Sequence, residues 1–336
     1  MSKMGFSEAV DSALAQAMAE DHCIVVFGED VHTLRLNLRS RFGERRVRPT
    51  PISESAFLGA AVGAAMAGLR PVVEIMLIDF IAVAASALLN EAAKIETFSG
   101  GRWNAPLVVR STCGGGYGDA GQHEQSLWGW LAHIPGLQVV VPSNPADAGG
   151  LFLGAIDYPG PVVFLEHKLL SNDWLEFMGR GGRAMVRFDV PEAGAEATVS
   201  RRWKAIPLGT ASVLREGNDL TMVSVAVGVH RCLEAATVLA EDGISAGVID
   251  LRTLSPLDME TVCSALEGSG RLLVVDEDYQ CFGLSGELAA MALERGLPLR
   301  YRRVCTETTI PYARHLEDQV LPSTSRILAA ARELLT

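Results

Sequence analysis

Short hydrophobic runs alternate along this chain with segments whose apolar residues recur every three or four positions. Residues 7–19 have the helical spacing, with Val10 and Leu14 facing inward. The apolar run 24–27 is short and ends in the turn 28–30, which indicates a buried strand. Because this alternation of strand and helix continues towards the C-terminus, we expect an α/β fold built on largely parallel sheets.

The predicted elements form two groups, and 336 residues are enough for two domains with substantial cores. Residues 1-185 predict a first domain and residues 207-336 a second, each a largely parallel sheet flanked by helices. The stretch 186-206 predicts a linker, because this part of the chain is irregular and rich in glycine, arginine and proline. Within the first domain, residues 79–95 predict one long helix.

Composition and charge exclude several classes of protein. Hydrophobic residues make up 49% of the chain and charged residues 21%, as in soluble globular proteins, and the formal charge of -11 argues against nucleic-acid binding. We find no apolar run of membrane-spanning length and expect no signal peptide at the N-terminus. The six cysteines are scattered without ligand spacing, which predicts reduced thiols and a cytoplasmic protein.

One acid occupies an unusual position in the first domain. Pro49 and Pro51 hold the residues before them out of helical geometry, and Ser53 is predicted to cap a helix over 55–67. Glu54 then lies in the first turn of a helix that is otherwise apolar and free of carboxylates. Its carboxylate either complements the helix dipole or points into a dry cleft, where such acids tend to be functional.

Three other features carry candidate chemistry. The loop 114–123 is dense in glycine and follows a predicted strand, so it is suited to close approach to a ligand. His123 at the end of this loop either transfers protons near neutral pH or is a surface residue. Glu29 follows the first strand and is either a site residue or a solvated loop acid. The arginines of 31–46 predict a solvated basic face or a contact with an acidic partner subunit.

Two motifs make the chain recognisable. Thr50-Pro51-Ile52-Ser53-Glu54, followed by Gly59-Ala60-Ala61-Val62-Gly63-Ala64-Ala65, closely resembles the beta subunit of the thiamine-diphosphate-dependent decarboxylating component of 2-oxo acid dehydrogenase complexes. The resemblance extends from about residue 5 to residue 330, and residues 250–258 and 276–278 resemble the transketolase C-terminal-like domain. It implies a pyrimidine-binding transketolase-like domain followed by that second domain, whose acids we expect to be solvated loop ends.

The resemblance also implies roles for individual residues. It places the carboxylate of Glu54 against the pyrimidine ring of thiamine diphosphate, and within Glu74-Ile75-Met76-Leu77-Ile78-Asp79-Phe80 it makes Phe80 the aromatic that stacks on that ring, with Met76 on the same wall. For Met76 and Phe80 the alternative is a purely structural core role. His123, in Gln122-His123-Glu124-Gln125, matches an active-site histidine of the family, although Glu124 replaces the usual serine.

The magnesium-diphosphate motif of thiamine enzymes is missing from this chain. Gly118-Asp119-Ala120 with Asn144 only mimics that motif, because its third residue is not glycine, so no metal-ligating residue is assigned. The resemblance therefore implies an alpha-type partner subunit in an α2β2 assembly, which holds most of the Mg2+ contacts, and a lipoylated acyltransferase that receives the acyl group. Tyr158 replaces an acid near the potassium site of relatives, so that site is not assigned either.

The expected reaction is oxidative decarboxylation of a small-molecule 2-oxo acid, most like that of pyruvate dehydrogenase, with acyl transfer to a lipoyl group. Pyruvate, acetoin and branched 2-oxo acids all stay open as substrates. The alternatives are an acetoin dehydrogenase beta subunit, the carboxyl-terminal half of a split transketolase, and a non-catalytic scaffold subunit.

Overall fold

The structure is a computed structural model that describes residues 1–179 and 188–336. Its strands are β1 (Ser2–Gly5), β2 (Ile24–Gly28), β3 (Val47–Pro49), β4 (Arg70–Leu77), β5 (Val108–Cys113), β6 (Gln138–Val140), β7 (Val162–His167), β8 (Glu196–Val199), β9 (Ser212–Arg215), β10 (Leu220–Ser224), β11 (Ala246–Asp250), β12 (Thr253–Ser255), β13 (Arg271–Tyr279) and β14 (Arg300–Thr306).

The α-helices are α1 (Phe6–Glu20), α2 (Val31–Leu34), α3 (Leu36–Phe42), α4 (Glu54–Met66), α5 (Ile78–Ile81), α6 (Ile95–Phe98), α7 (Trp128–Ala132), α8 (Pro145–Asp157), α9 (Asn172–Gly179), α10 (Glu192–Ala195), α11 (Ala226–Glu241), α12 (Met259–Ser269), α13 (Leu284–Glu294), α14 (Arg314–Val320) and α15 (Thr324–Leu335). A 3-10 helix, Ala82–Ala84, and a π-helix, Ala87–Ala92, follow α5. No helix in the described ranges is long and apolar enough to cross a membrane.

Two mostly parallel sheets organise the chain, as the α/β pattern predicts. The first has the strand order β12-β6-β7-β5-β4-β2-β3 and is parallel except for β12, which arrives from the second half of the chain. The second has the order β14-β13-β10-β11-β9, with only β9 antiparallel. The predicted fold class is therefore confirmed.

Helix α1 confirms the spacing seen in the sequence. Val10, Leu14 and Met18 are all fully buried. They belong to an apolar cluster that includes residues of α8 and of the first sheet, and helices on a sheet face bury such a stripe. A second apolar cluster contains residues of both halves of the chain, from Phe57 in α4 to Leu288 in α13, so the two halves share a core.

The prediction of one long helix over 79–95 is wrong. The chain instead forms α5, a turn of 3-10 helix and a π-helix. Ile78, Ile81, Ala84 and Leu88 are all buried, and their spacing of three, three and four residues is compatible with a change of helical pitch along the segment. The 3-10 turn begins at Ala82, two residues after Phe80, and the π-helix follows it; π-helical turns are frequent near functional sites.

The stretch expected to be a linker contains regular structure. Helix α10 and strand β8 occupy residues 192–199, and β8 pairs antiparallel with β1, with Met4 opposite Ala197. The indole of Trp203 is 6% exposed and donates from Nε1 to Ser12 Oγ at 3.1 Å. The pairing with β1 explains this local order, because β8 supplies hydrogen-bond partners for the backbone N–H and C=O groups of β1. The division at 1-185, 186-206 and 207-336 stays a prediction, and part of it falls in 180–187, outside the described residues.

The arginine-rich segment is not uniformly solvated. Arg41 and Arg45 are exposed, but Arg35 is 7% exposed and donates from Nε to Glu74 Oε1 at 2.8 Å and from Nη1 to Asp173 Oδ2 at 2.8 Å. The solvated expectation is wrong for Arg35, because α2 and α3 bring its side chain over β4, where carboxylates converge. Burial disfavours the charged form of Arg35, but the carboxylates of Asp11 and Glu74 outweigh burial and raise its pKa.

Candidate active site

Four candidate segments meet at one edge of the first sheet. Strands β2, β3, β4 and β5 run parallel, so their carboxyl ends lie at the same edge. Glu29 follows β2, Glu54 follows β3, Phe80 follows β4 and the loop 114–123 follows β5. Ligands of such sheets bind beyond this edge. The structure therefore places the sequence-predicted residues at one end of the sheet.

Glu54 opens helix α4 and lies next to another acid. The helix begins at Glu54, and Ser53 occupies the N-cap position without a side-chain hydrogen bond, so the predicted capping by Ser53 is wrong. The carboxyl group of Glu29 is hydrogen-bonded to that of Glu54. Burial, the charge of Glu54 and the charge of Asp30 all raise the pKa of Glu29. Glu29 therefore lies beside Glu54 in the structure, and its role in the site stays a prediction.

Phe80 and His123 are in contact across the site. Their ring centroids are 5.9 Å apart and the rings are nearly perpendicular, at 82°. Both side chains are half-buried. Ser55 Oγ, in the first turn of α4, donates to the carbonyl of Val83 at 2.5 Å and so joins the segment beside Glu54 to the segment that carries Phe80. The edge therefore presents a carboxylate, an aromatic ring and an imidazole together.

Met76 lies near the carboxyl end of β4, on the strand face that carries Glu74 and opposite Ile75. Its side chain is half-buried, and its backbone carbonyl accepts a hydrogen bond from Thr112 Oγ1. The packing of Met76 against a cofactor stays a prediction.

The residues that flank His123 are tied to their surroundings. Lys168 is 2% exposed and donates from Nζ to the backbone carbonyl of His123. Burial lowers the pKa of this amine below its ordinary value. On the other side, Gln125 Nε2 donates to Asp79 Oδ1 at 2.6 Å, and Gln125 Oε1 accepts from the Tyr279 hydroxyl at 3.0 Å. Because Asp79 precedes Phe80, these bonds connect the histidine loop to the segment carrying the aromatic ring.

The expectation that the acids of the second domain are solvated is wrong for the three acids at the end of β13, although others such as Glu241 and Asp242 are exposed. Asp276 is fully buried and its Oδ1 accepts from Trp128 Nε1 at 2.9 Å, while Asp278 Oδ2 accepts from the backbone N–H of Gly129 at 2.8 Å. Burial, more than any other cause, raises the pKa of both acids. These acids therefore hold the first domain against the second. In the sequence, these three acids directly follow the apolar run 272–275, which predicts their place at a strand end but not their partners.

The segments that mimic a magnesium motif have other partners. The backbone N–H of Asp119 donates to Glu124 Oε1 at 2.9 Å, and Asn144 Oδ1 caps helix α8 by accepting from the N–H of Asp147 at 3.0 Å. In the described part of the chain, no group of three or more histidine, cysteine, aspartate or glutamate residues is arranged to hold a metal ion.

The comparisons define first the class of protein. Residues 2–172 match the family described as "Transketolase, pyrimidine binding domain", and residues 209–327 match "Transketolase, C-terminal domain". A solved structure titled "Split gene transketolase, inactive beta4 tetramer" has a TM-score of 0.79 and covers 99% of this chain and 98% of its own, at 23% sequence identity. At that identity the likeness shows the fold, which is the two-domain transketolase-type fold.

Three similar proteins narrow the family. The acetoin:2,6-dichlorophenolindophenol oxidoreductase subunit beta of Cupriavidus necator is 37% identical over 353 residues, which cover 99% of this chain and 98% of that protein. The 2-oxoisovalerate dehydrogenase subunit beta of Bacillus subtilis is 37% identical, covering 99% of both chains. The pyruvate dehydrogenase E1 component subunit beta of Bacillus subtilis is 36% identical, covering 100% of this chain and 99% of its own. The chain belongs to this family of dehydrogenase beta subunits, and the resemblance noted in its motifs is confirmed.

Proposed function

We propose that this chain is the beta subunit of a thiamine-diphosphate-dependent 2-oxo acid dehydrogenase, most like pyruvate dehydrogenase. The enzyme oxidatively decarboxylates a small 2-oxo acid and transfers the acyl group to a lipoyl group. The observation that carries this proposal is the grouping of Glu54, Phe80 and His123 at the carboxyl edge of the first sheet. The names of the three relatives support the same reaction class.

The side chains at this edge fit the pyrimidine half of the cofactor. Thiamine diphosphate, when bound, would supply the electron sink for decarboxylation. Glu54 is half-buried and lies beside Glu29, so its carboxyl group can form a hydrogen bond with a ring nitrogen of the cofactor. Phe80 presents an aromatic ring that can stack on a heteroaromatic ring, and His123, in edge contact with it, can hold or deliver a proton at an imidazole nitrogen.

An alpha-type partner subunit completes the proposed enzyme. Ile52 is 82% exposed and Val83 61% exposed, so apolar surface lies on both sides of Glu54. The outward face of α4 is built from small residues and is exposed at Ala56 and Ala60. In this proposal the partner covers this surface in an α2β2 assembly and brings most of the contacts to Mg2+ and diphosphate. The complex acts in the cytoplasm on a lipoylated acyltransferase, and this chain alone is inactive.

The test is the isosteric variant Glu54→Gln in the complex reconstituted with the alpha-type subunit. The amide cannot exchange a proton in the same way, so we expect turnover to fall by about 10²–10⁴-fold while the assembly stays intact on size-exclusion chromatography. Glu91→Gln is the matched control, because Glu91 is exposed on the π-helix. Unchanged turnover in the Glu54 variant would leave the scaffold interpretation.

A substrate panel separates the remaining alternatives. Pyruvate, acetoin and 2-oxoisovalerate are each supplied with a lipoyl acceptor. Reduction of the acceptor is measured for all three substrates, and release of carbon dioxide is measured for the two acids, because acetoin has no carboxyl group to lose. We expect carbon dioxide from pyruvate. Turnover of acetoin alone would identify an acetoin dehydrogenase subunit, whereas ketol transfer between sugar phosphates would identify the half of a split transketolase.

A further inference from the structure

Five successive backbone amides of the glycine loop each face a carboxylate. The N–H of residue 115 donates to Glu277 Oε1 at 2.8 Å. The N–H groups of 116 and 118 donate to Glu317, the first to Oε1 and the second to Oε2 at 3.0 Å. The N–H groups of 117 and 119 both donate to Glu124 Oε1, at 3.2 Å and 2.9 Å. Gly116 and Gly118 have φ of 112° and 77°, a conformation that glycine adopts freely. Successive amides in such alternating conformations form a concave site for anions.

Two of the three acids come from the second domain. Glu277 lies on β13 and Glu317 on α14, and they are 9% and 0% exposed. Glu277 also accepts from His167 Nε2 at 3.0 Å, and Glu317 lies 3.5 Å from Arg314 Nη1. Buried carboxylates need such partners, since an unpaired charge in this environment is strongly unfavourable. The loop is thus part of the contact between the two domains.

Glu124 and Glu317 form a carboxyl pair beneath the loop. Glu124 is fully buried, and its carboxyl group is hydrogen-bonded to that of Glu317. Burial, then this hydrogen bond and the charge of Glu317, raise the pKa of Glu124 far above its ordinary value. The raised pKa favours the protonated form of Glu124, and a hydrogen bond between two carboxyl groups requires one proton. Both oxygens of Glu317 accept from loop amides, whereas Glu124 accepts from them through Oε1 alone and its buried Oε2 receives no hydrogen bond from a donor of the described residues. Glu124 Oε2 is therefore the oxygen of the pair that can carry a proton.

We propose that Glu124 and Glu317 are positioning residues that fix the loop 115–119 across the two domains and thereby direct His123 towards Phe80. The link to the histidine is short. Glu124 is its neighbour in the chain, and the backbone N–H of His123 donates to the carbonyl of Ala120, directly after the held amides. On the opposite side, Lys168 Nζ fixes the carbonyl of His123. The effect of this pair on catalysis through His123 rests on the function proposed above. The hydrogen bonds by which the two acids fix the loop do not depend on that function.

The two acids predict opposite responses to the same one-atom change. In Glu124→Gln, the side-chain carbonyl can accept from the two loop amides while the side-chain NH2 group donates to Glu317. Glutamine therefore keeps the hydrogen bonds of a protonated glutamic acid at this position. In Glu317→Gln one acceptor oxygen becomes an N–H donor and opposes the amide of Gly116 or Gly118. Glu124→Ser, which removes the carboxyl group, is the third variant, and Glu333→Gln on the exposed end of α15 is the control.

The experiment is hydrogen–deuterium exchange of the peptide covering 114–125, together with kcat and KM, on the complex with the alpha-type subunit. We expect Glu124→Gln and the control to retain parental exchange and kcat within about twofold. We expect Glu317→Gln and Glu124→Ser to exchange at least about tenfold faster and to lose about 10–100-fold in kcat with little change in KM, since small displacements of a catalytic group have effects of this size.

Two results overturn the proposal: parental exchange in Glu317→Gln and Glu124→Ser, or loss of protection in Glu124→Gln equal to that in Glu124→Ser. If Glu317→Gln does not fold, the contrast between the two Glu124 variants decides. If the parental complex has no turnover, the proposed function fails, while the exchange data still decide whether the pair holds the loop.

Discussion

Asp250 offers a direct test of how buried acids join the two domains. It lies at the end of β11 and is fully buried. Its Oδ2 accepts from Ser143 Oγ at 2.5 Å, and its Oδ1 accepts from the backbone N–H of Arg252 at 2.9 Å. Burial raises the pKa of Asp250 from 3.8 to about 7, although these hydrogen bonds oppose the shift. The carboxyl group is therefore neutral in the folded protein over a range in which it is ionised in the unfolded chain.

The size and sign of the effect follow from linkage. A pKa raised from 3.8 to about 7 corresponds to about 4 kcal/mol, at about 1.36 kcal/mol per pKa unit. This free energy is an upper limit, because charges at buried sites interact as in a medium with an effective dielectric constant near 20. The folded-state pKa is the higher one, so the protonated form of Asp250 adds to the free energy of unfolding. This contribution is full below pH 3.8 and is lost as the pH rises through about 7.

The variant Asp250→Asn removes this ionisation while keeping hydrogen-bonding groups at both positions. We expect the free energy of unfolding of the variant, relative to the parent, to increase between pH 5 and pH 8 by up to about 3 kcal/mol, because about a third of the full effect lies below pH 5. Urea unfolding followed by tryptophan fluorescence at pH 5, 6, 7 and 8 measures the difference.

Asp258→Asn is the control of opposite sign. Burial opposes the shift at Asp258, but backbone hydrogen bonds, including those from Ala211 and Thr261, outweigh it and lower its pKa. This variant should therefore lose stability relative to the parent as the pH rises from about 2 to 4, and the difference should stay constant from pH 5 to pH 8. A difference for Asp250→Asn that is independent of pH, or that falls towards pH 8, would refute the reasoning.

Three further outcomes are expected. Trp203→Ala should lower the free energy of unfolding by about 3–5 kcal/mol, as other large-to-small core changes do, and a loss below about 1 kcal/mol in urea unfolding would contradict the packing of Trp203. Arg110→Met leaves the buried Glu166 without its ion-pair partner and should cost about 3–5 kcal/mol at pH 8. Because burial raises the pKa of Glu166, the loss should shrink at pH 5, and an equal loss at both pH values would argue against this explanation. Phe80→Ala should weaken binding of thiamine diphosphate to the complex by about tenfold in calorimetry, whereas Phe80→Tyr should retain it, and equal affinity in all three proteins would exclude stacking.

Much of the site follows from the sequence because its residues occupy ends of predicted strands. Glu29, Glu54 and Phe80 each come shortly after a strand, and parallel strands end at one edge of their sheet. The helical spacing of residues 7–19 likewise predicts α1 and its buried face. The contact between the rings of Phe80 and His123 is not local, and only the structure brings these residues, 43 positions apart, to a centroid distance of 5.9 Å.

The roles of the second-domain acids could not be predicted from local patterns. Glu277 and Glu317 resemble ordinary surface acids in the sequence, and their partners are amides more than 150 positions away. Arg35 is a comparable case, since three carboxylates from separate elements surround it.

Periodicity and strand ends depend on neighbouring residues, so the amino-acid order alone specified the fold class, most of the elements and the sheet edge at which the candidate site lies. Burial of a charge depends on which distant surfaces close over it. The packing of the two domains therefore decided which acids stay in water and which bind the loop that carries His123.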